Sequence, residues 1–243
     1  MSQTVVKNIS LLVTNNPSLG KTELGLIENA ALLIEDGKIS WVGAGESAPT
    51  GEKTIDAAGK AVIPGFVDSH THLIFAGDRS AEFAARSRGE KYSAGGIKTT
   101  VTATRAASNS ELTSNAQILL DEALSQGTTT VEIKTGYGLT LHDELRSLDV
   151  ASAFTDETTL LAAHVIPDEY VNNPDGYVDL IIKEIIPASS AKWIDVFCDA
   201  GAFSPEQTRA ILLAGKAAGM LARIHANQLS RTTAVALAIE LGA

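Results

Sequence analysis

This sequence is poor in the features that serve secretion, membranes or polyanions. A single cysteine, Cys198, leaves no intrachain disulfide to form and points to a reducing compartment. No apolar run approaches the ~20 residues needed to span a bilayer. The opening Met1-Ser2-Gln3-Thr4 lacks the charged-then-apolar layout of a signal peptide. Basic residues are outnumbered, 19 Lys and Arg against 29 Asp and Glu. The net charge of -10 argues against nucleic acid or an anionic membrane surface as partner. The expectation is a soluble cytoplasmic protein. Its 243 residues, 44% hydrophobic and 20% charged, suffice for one large domain or a domain with a smaller companion.

The first 60 residues read as all-β. Ser10–Thr14 is a short strand broken by Asn15-Asn16-Pro17. Ala30–Ile34 and Ile39–Gly43 flank an Asp36-Gly37 pair, a strong hairpin signal because glycine accepts positive φ without strain. Thr54-Ile55-Asp56 is a further strand. A unit this small buries little apolar surface by itself.

From residue 61 the pattern becomes strand then helix, repeated. The expected strands are Val62–His72, Thr128–Ile133, Thr158–His164, Trp193–Cys198 and Met220–His225. Between them, helices are expected over residues 109–126, 141–154, 177–186 and 205–219, with a last one capped by Ser230. Ser204-Pro205-Glu206-Gln207 has the form of a capping box with proline at the first helical position. Such alternation indicates βαβ units, a parallel sheet and an α/β, TIM-type (β/α) barrel. Five units are present where a closed barrel needs eight, so an incomplete barrel is expected over residues 61–243, preceded by the small β part at 1–60.

The strand ends carry the chemistry. His70 and His72 lie two apart on a strand and so point to one face. His164 ends the third strand and His225, with Gln228 just beyond, ends the fifth. Lys134 and Tyr137 follow the second, and Cys198 with Asp199 the fourth. Only His142, on a helix, lies away from such an end. Any one of these could be a loop-facing polar residue, but a barrel brings corresponding strand ends to one mouth. His70, His72 and His225 suit Zn²⁺ or Fe²⁺ equally, with room for a carboxylate and a water. A metal-bound water of lowered pKa suits hydrolysis of an unreactive C–N bond. Arg79, in a Gly-Asp-Arg loop, offers a fork for a substrate carboxylate, or else pairs locally with Asp78 or Glu82. The glycines around Tyr137 let backbone approach a ligand closely, or form an ordinary turn.

The run Pro64-Gly65-Phe66-Val67-Asp68-Ser69-His70-Thr71-His72 resembles the first barrel strand of the amidohydrolase superfamily, which follows part of a β-sandwich. Within it, four stretches resemble the imidazolonepropionase family: 72–79, 132–139, 163–167 and 225–230. Thr104–Ser108 adds to them. The resemblance implies hydrolytic opening of the ring of 4-imidazolone-5-propanoate to N-formimidoyl-L-glutamate in histidine degradation, with one divalent metal, Zn or Fe. By position it implies His70, His72 and His225 as metal ligands and Arg79 as the grip on the propionate. Tyr92 and Tyr137 would line the substrate site, and His164 would polarise the ring carbonyl. Gln228 stands where some family members have Glu, and an amide orients groups but accepts no proton at neutral pH. The family's chain runs on to further strands, another histidine, a metal-ligating aspartate and the rest of the sandwich. The resemblance therefore implies an N-terminal fragment of an enzyme that is a homodimer at full length. A non-catalytic half-barrel binding module, or an enzyme for another cyclic amide, remains open.

Overall fold

A computed structural model describes residues 2–20, 22–89 and 95–243. The chain divides into two compact units, Met1–Phe66 and Val67–Ala243.

The first unit is one five-stranded mixed sheet built on a long β1 (Gln3–Val13). Strand β2 (Leu26–Glu35) pairs antiparallel with β1 and then with β3 (Lys38–Ala44). The short β4 (Lys53–Asp56) and β5 (Ala61–Val62) run parallel to β1. The β2–β3 turn is the Asp36-Gly37 pair, with φ of 49° and 80°. Two successive positive φ values make the primed turn whose twist matches its strands. β1 begins well before the expected Ser10, because its register with β2 shifts between Val6 and Ile9, around Asn8 at φ 57°. Such an irregularity hides a strand's period from the sequence. Ile9, Leu12, Ala30 and Leu32 form its core.

The second unit is an α/β assembly whose sheet follows chain order. β6 (Phe66–Thr71), β7 (Thr128–Lys134), β8 (Thr158–Ala163), β9 (Trp193–Cys198) and β10 (Leu221–Ala222) are successive neighbours, and β11 (His225–Ala226) also pairs with β9. The pairings β7–β8, β8–β9, β9–β10 and β9–β11 are parallel. All six residues of β8 are buried, as a strand covered on both faces requires. The expected fifth strand comes as two short pieces. The gap falls at Arg223-Ile224, where the Arg223 guanidinium lies 3.9 Å from the centre of the Trp193 ring.

Helices fill the crossovers. α1 (Ser80–Ser87) and α2 (Gly95–Ala106) occupy a region that the sequence pattern leaves unassigned. α3 (Asn109–Ser125) is capped by Ser108 and α4 (Leu141–Ser152) by Thr140, each side chain accepting from the third backbone N–H of its helix. Of its apolar residues α3 buries Leu112 and Ala116, and Leu124 is exposed. α5 (Pro174–Leu180) continues through a π turn (Ile181–Ile185) into α6 (Ile186–Ala188). The widened turn sits just before Pro187, which lacks the N–H for a regular helical bond. α7 (Pro205–Ala217) opens on the expected capping box, with Ser204 and Gln207 bonding reciprocally. It presses so close to β9 that a Cβ on Gly215 would lie 2.5 Å from Ile194. The last helix, α8 (Ala234–Leu241), starts at Thr233 rather than Ser230. Ser230 is diverted, since its N–H and hydroxyl both bond Asp199. Among the described residues no helix is long and apolar enough to cross a membrane.

Candidate active site

The parallel order brings the ends of β6, β8 and β11 together, and the histidines with them. His70 and His72 have ring centroids 5.4 Å apart. His225, opening β11, meets His70 edge-on at 4.7 Å, with the two Nε2 atoms 3.3 Å apart. His164, one residue past β8, stacks on His72 at 5.2 Å. Tyr137 packs against both His72 and His164. His142 points to solvent from α4. Tyr92 lies outside the described residues.

The other ring nitrogens are mostly committed. A carbonyl only accepts, so His164 donates from Nδ1 to the Gly136 oxygen at 2.9 Å, leaving Nε2 as an acceptor. Gly136 sits at φ 115°, and a Cβ there would come within 3.0 Å of His164 Nδ1 and of the Leu161 oxygen. His225 places Nδ1 3.0 and 3.1 Å from the two Asp195 oxygens. The buried His72 Nδ1 has no hydrogen-bond partner. Burial, followed by the neighbouring His164, His70 and Lys134, pushes His72 down to about 3. Burial holds His164 at about 4 despite the bond to Gly136. His70 is lowered too, by burial and then by the charge of Lys134. All three rings are therefore neutral at pH 7, the form that can ligate a metal.

Beneath the histidines lies a buried charge network. Lys134 Nζ is 2.8 Å from Glu132 and 2.9 Å from Asp195, and all three residues are almost wholly buried. Glu132 also accepts from Arg223 at 2.7 Å and from the Thr159 hydroxyl. Its backbone oxygen accepts from the Thr71 hydroxyl, tying β7 to the end of β6. Two cations face two carboxylates, so the cluster is balanced, as buried charge must be. Burial works to raise the Asp195 pKa, but the His225 hydrogen bond and the Lys134 charge outweigh it and hold the carboxyl below its usual range.

Two cavities flank the histidines. One, of about 820 Å³, is lined by His72, Phe75, Arg79, Glu82, Thr100 and Tyr137 among others. The other, of about 470 Å³, is lined by Ser69, His70, Lys134, Asp195, Arg223 and His225 among others. Arg79 meets Glu82 through two hydrogen bonds of 3.1 and 2.8 Å, at the wall of the larger cavity. Asp78 instead accepts from Ser80 at the start of α1. Gln228 is exposed on the loop after β11. Asp199 holds that loop by accepting from the N–H groups of Leu229 and Ser230 at 2.8 and 3.0 Å. These bonds, with that of the Ser230 hydroxyl, bring its carboxyl down to about 2. Burial pushes the Cys198 thiol up, which disfavours a thiolate role.

Residues 53–175, half of the chain, match the profile of the Amidohydrolase family. The chain belongs to that family. Over its whole length it is 54% identical to the imidazolonepropionase of Mycolicibacterium smegmatis and 56% identical to that of Salinispora arenicola. It spans 62% of the length of each of these curated relatives. Solved amidohydrolase structures share the fold at low identity. A. niger ochratoxinase superposes with a TM-score of 0.64 at 20% identity, covering 100% of this chain and 59% of that one. N-isopropylammelide isopropylaminohydrolase from Burkholderia multivorans gives 0.62 at 20%, covering 99% and 56%.

Amidohydrolases are typically metal-dependent, and the histidines can be tested against a metal. Two nitrogens bound to one tetrahedral metal at about 2.0–2.1 Å stand about 3.3–3.4 Å apart. The His70 and His225 Nε2 atoms, 3.3 Å apart, span that edge. His225 also carries the carboxylate partner that commonly orients a metal-bound imidazole. His72 adds an unpartnered buried nitrogen beside them. Among the described residues no three His, Cys, Asp or Glu groups are already gathered as a complete ligand set. The His70–His225 pair has the spacing of two nitrogens on one metal.

Sequence reasoning missed Glu132, Asp195 and Arg223. Glu132 and Lys134 share a strand face, and Asp195 interrupts the apolar Trp193–Cys198 run. A charged residue at an inward position of a parallel strand demands a buried partner, and that signal was available.

Proposed function

We propose that this chain is the metal-binding N-terminal part of an imidazolonepropionase, opening the ring of 4-imidazolone-5-propanoate to N-formimidoyl-L-glutamate. The observation that carries the reading is 54–56% identity to such enzymes across the entire chain. His70, His72 and His225 hold one Zn or Fe ion, which when bound supplies an activated water for attack on the ring carbonyl. The remaining chemistry belongs to the chain's own residues. Arg79 turns its guanidinium from Glu82 to the substrate propionate at the wall of the larger cavity. Tyr137, packed on His72 and His164, walls the ring, and Tyr92 is assigned to the same site by sequence alone. His164, its Nδ1–H committed to Gly136, offers Nε2 to a ring N–H, and polarises the carbonyl oxygen only when protonated. Gln228 orients substrate or water and takes no proton.

The test is hydrolysis of imidazolonepropionate by zinc- or iron-loaded protein from the complete reading frame, followed as loss of the imidazolone ultraviolet absorbance. His72→Ala is expected to abolish turnover, and equal turnover by that variant refutes the reading. Arg79→Met should raise KM about 10- to 100-fold, as the loss of a charge-assisted bidentate contact of ~1.5–3 kcal/mol demands. An unchanged KM removes the carboxylate grip.

A further inference from the structure

Lys134 stands at a strand end and lines the smaller cavity, yet not as a free cation. It is 2% exposed and its ammonium is spent on Glu132 and Asp195. We propose that Lys134 is a positioning residue: clamped between Glu132 and Asp195, it fixes the direction of the Asp195–His225 hydrogen bond, so that His225 presents an unprotonated Nε2 beside His70.

The reasoning is one of donors and acceptors. An ammonium has three N–H donors and no acceptor, so a carboxylate oxygen that meets it accepts. Asp195 Oδ2, 2.9 Å from Nζ, is therefore an acceptor, and the same oxygen lies 3.0 Å from His225 Nδ1. His225 must be the donor in that bond. In the neutral ring, the form able to ligate, the one proton then sits on Nδ1, and the Nε2 lone pair is turned toward His70 Nε2 at 3.3 Å. Without the ammonium, the Asp195 carboxylate loses the anchor that holds Oδ2 against Nδ1 and can turn away from it. A neutral imidazole that has lost this acceptor can carry its one proton on Nε2 instead, which blocks that nitrogen as a ligand.

Glu132 completes the clamp. Its Oε1 collects Lys134, Arg223 and Thr159, which keeps Nζ from swinging off Asp195. Partners of this kind typically govern metal affinity about 10- to 100-fold.

The proposal rests on the metal reading above for its consequence, but its core is tested without metal. In chelator-stripped protein labelled with ¹⁵N-histidine, the wild-type His225 ring should show one tautomer, protonated at Nδ1. Lys134→Met should give a mixture or the reverse tautomer. The zinc dissociation constant, from competition with a chromophoric chelator, should rise about 10- to 100-fold. If Lys134→Met fails to fold, Lys134→Met/Glu132→Gln removes one charge of each sign and keeps the cluster neutral. A folded variant of either kind with the wild-type tautomer and wild-type zinc affinity overturns the proposal. Wild-type protein that binds no zinc refutes the metal reading instead, while the tautomer shift still decides the role of Lys134.

Discussion

Acid should destabilise the second unit through two of its histidines. His72 and His164 protonate at about 3 and about 4 in the folded chain, against about 6.5 in an unfolded one. The folded values are the lower ones, so between them and 6.5 the unfolded chain binds more protons. Their contribution to stability is whole above pH 6.5 and is lost as pH falls toward the folded values. At pH 5 each ring lies about 1.5 pH units below its unfolded value, a loss of ~2 kcal/mol apiece. The rings stack and His164 helps to depress His72, so the joint loss is about 2–4 kcal/mol rather than a simple sum. Against a total of ~5–15 kcal/mol, that is a large fraction. Trp41 lies in the first unit and Trp193 in the second, and they are the two tryptophans of the chain. In a Trp41→Phe background, Trp193 fluorescence therefore reports the second unit alone. Urea midpoints of the metal-free protein should be level from pH 7.5 to 6.5 and fall steadily from 6.5 to 5. The double variant His72→Asn/His164→Asn should flatten that fall. Parallel pH slopes in variant and parent would refute the assignment of these rings as buried and neutral.

Three further outcomes are expected. Gly136→Ala should lower stability by about 1–3 kcal/mol, because it forces a side chain to φ 115° and crowds both His164 and Leu161, and the His164 Nδ1 resonance should shift as its bond to Gly136 is pushed aside. Tyr177→Phe removes the buried hydroxyl that bonds the Ala162 oxygen at 2.9 Å, and should cost about 1–2 kcal/mol in urea unfolding with no change in far-ultraviolet circular dichroism. Asp199→Ala should leave the sheet intact but release the loop after β11, seen as faster proteolytic cleavage between Asn227 and Thr232.

The strand–helix alternation was legible in the sequence, and so was the capping box at Ser204, because it acts within one turn of its own helix. So was the gathering of His70, His72, His164 and His225, since a parallel sheet in chain order brings matching strand ends together. What was not legible depended on distant contacts. Ser230 has the chemistry of a helix cap, but Asp199 competes for it from another loop. The helical periodicity of α3 outlasts its burial, as Leu124 shows at 60% exposure. The role of Lys134 required Asp195 from a strand two places away in the sheet, and no local pattern holds that pairing.

That pairing also bears on how the sheet finds its alignment. A parallel strand can slide by two residues, about 6.6 Å, and still point the same side chains inward. Sliding β9 in this way would set Trp193 or Phe197 where Asp195 meets Lys134, leaving a buried ammonium with one of its two carboxylates. Breaking a buried ion pair costs about 3–5 kcal/mol, whereas exchanging one large apolar side chain for another costs far less. Glu132, Lys134 and Asp195 thus act as a checksum on strand alignment, rejecting arrangements that hydrophobic packing alone would tolerate.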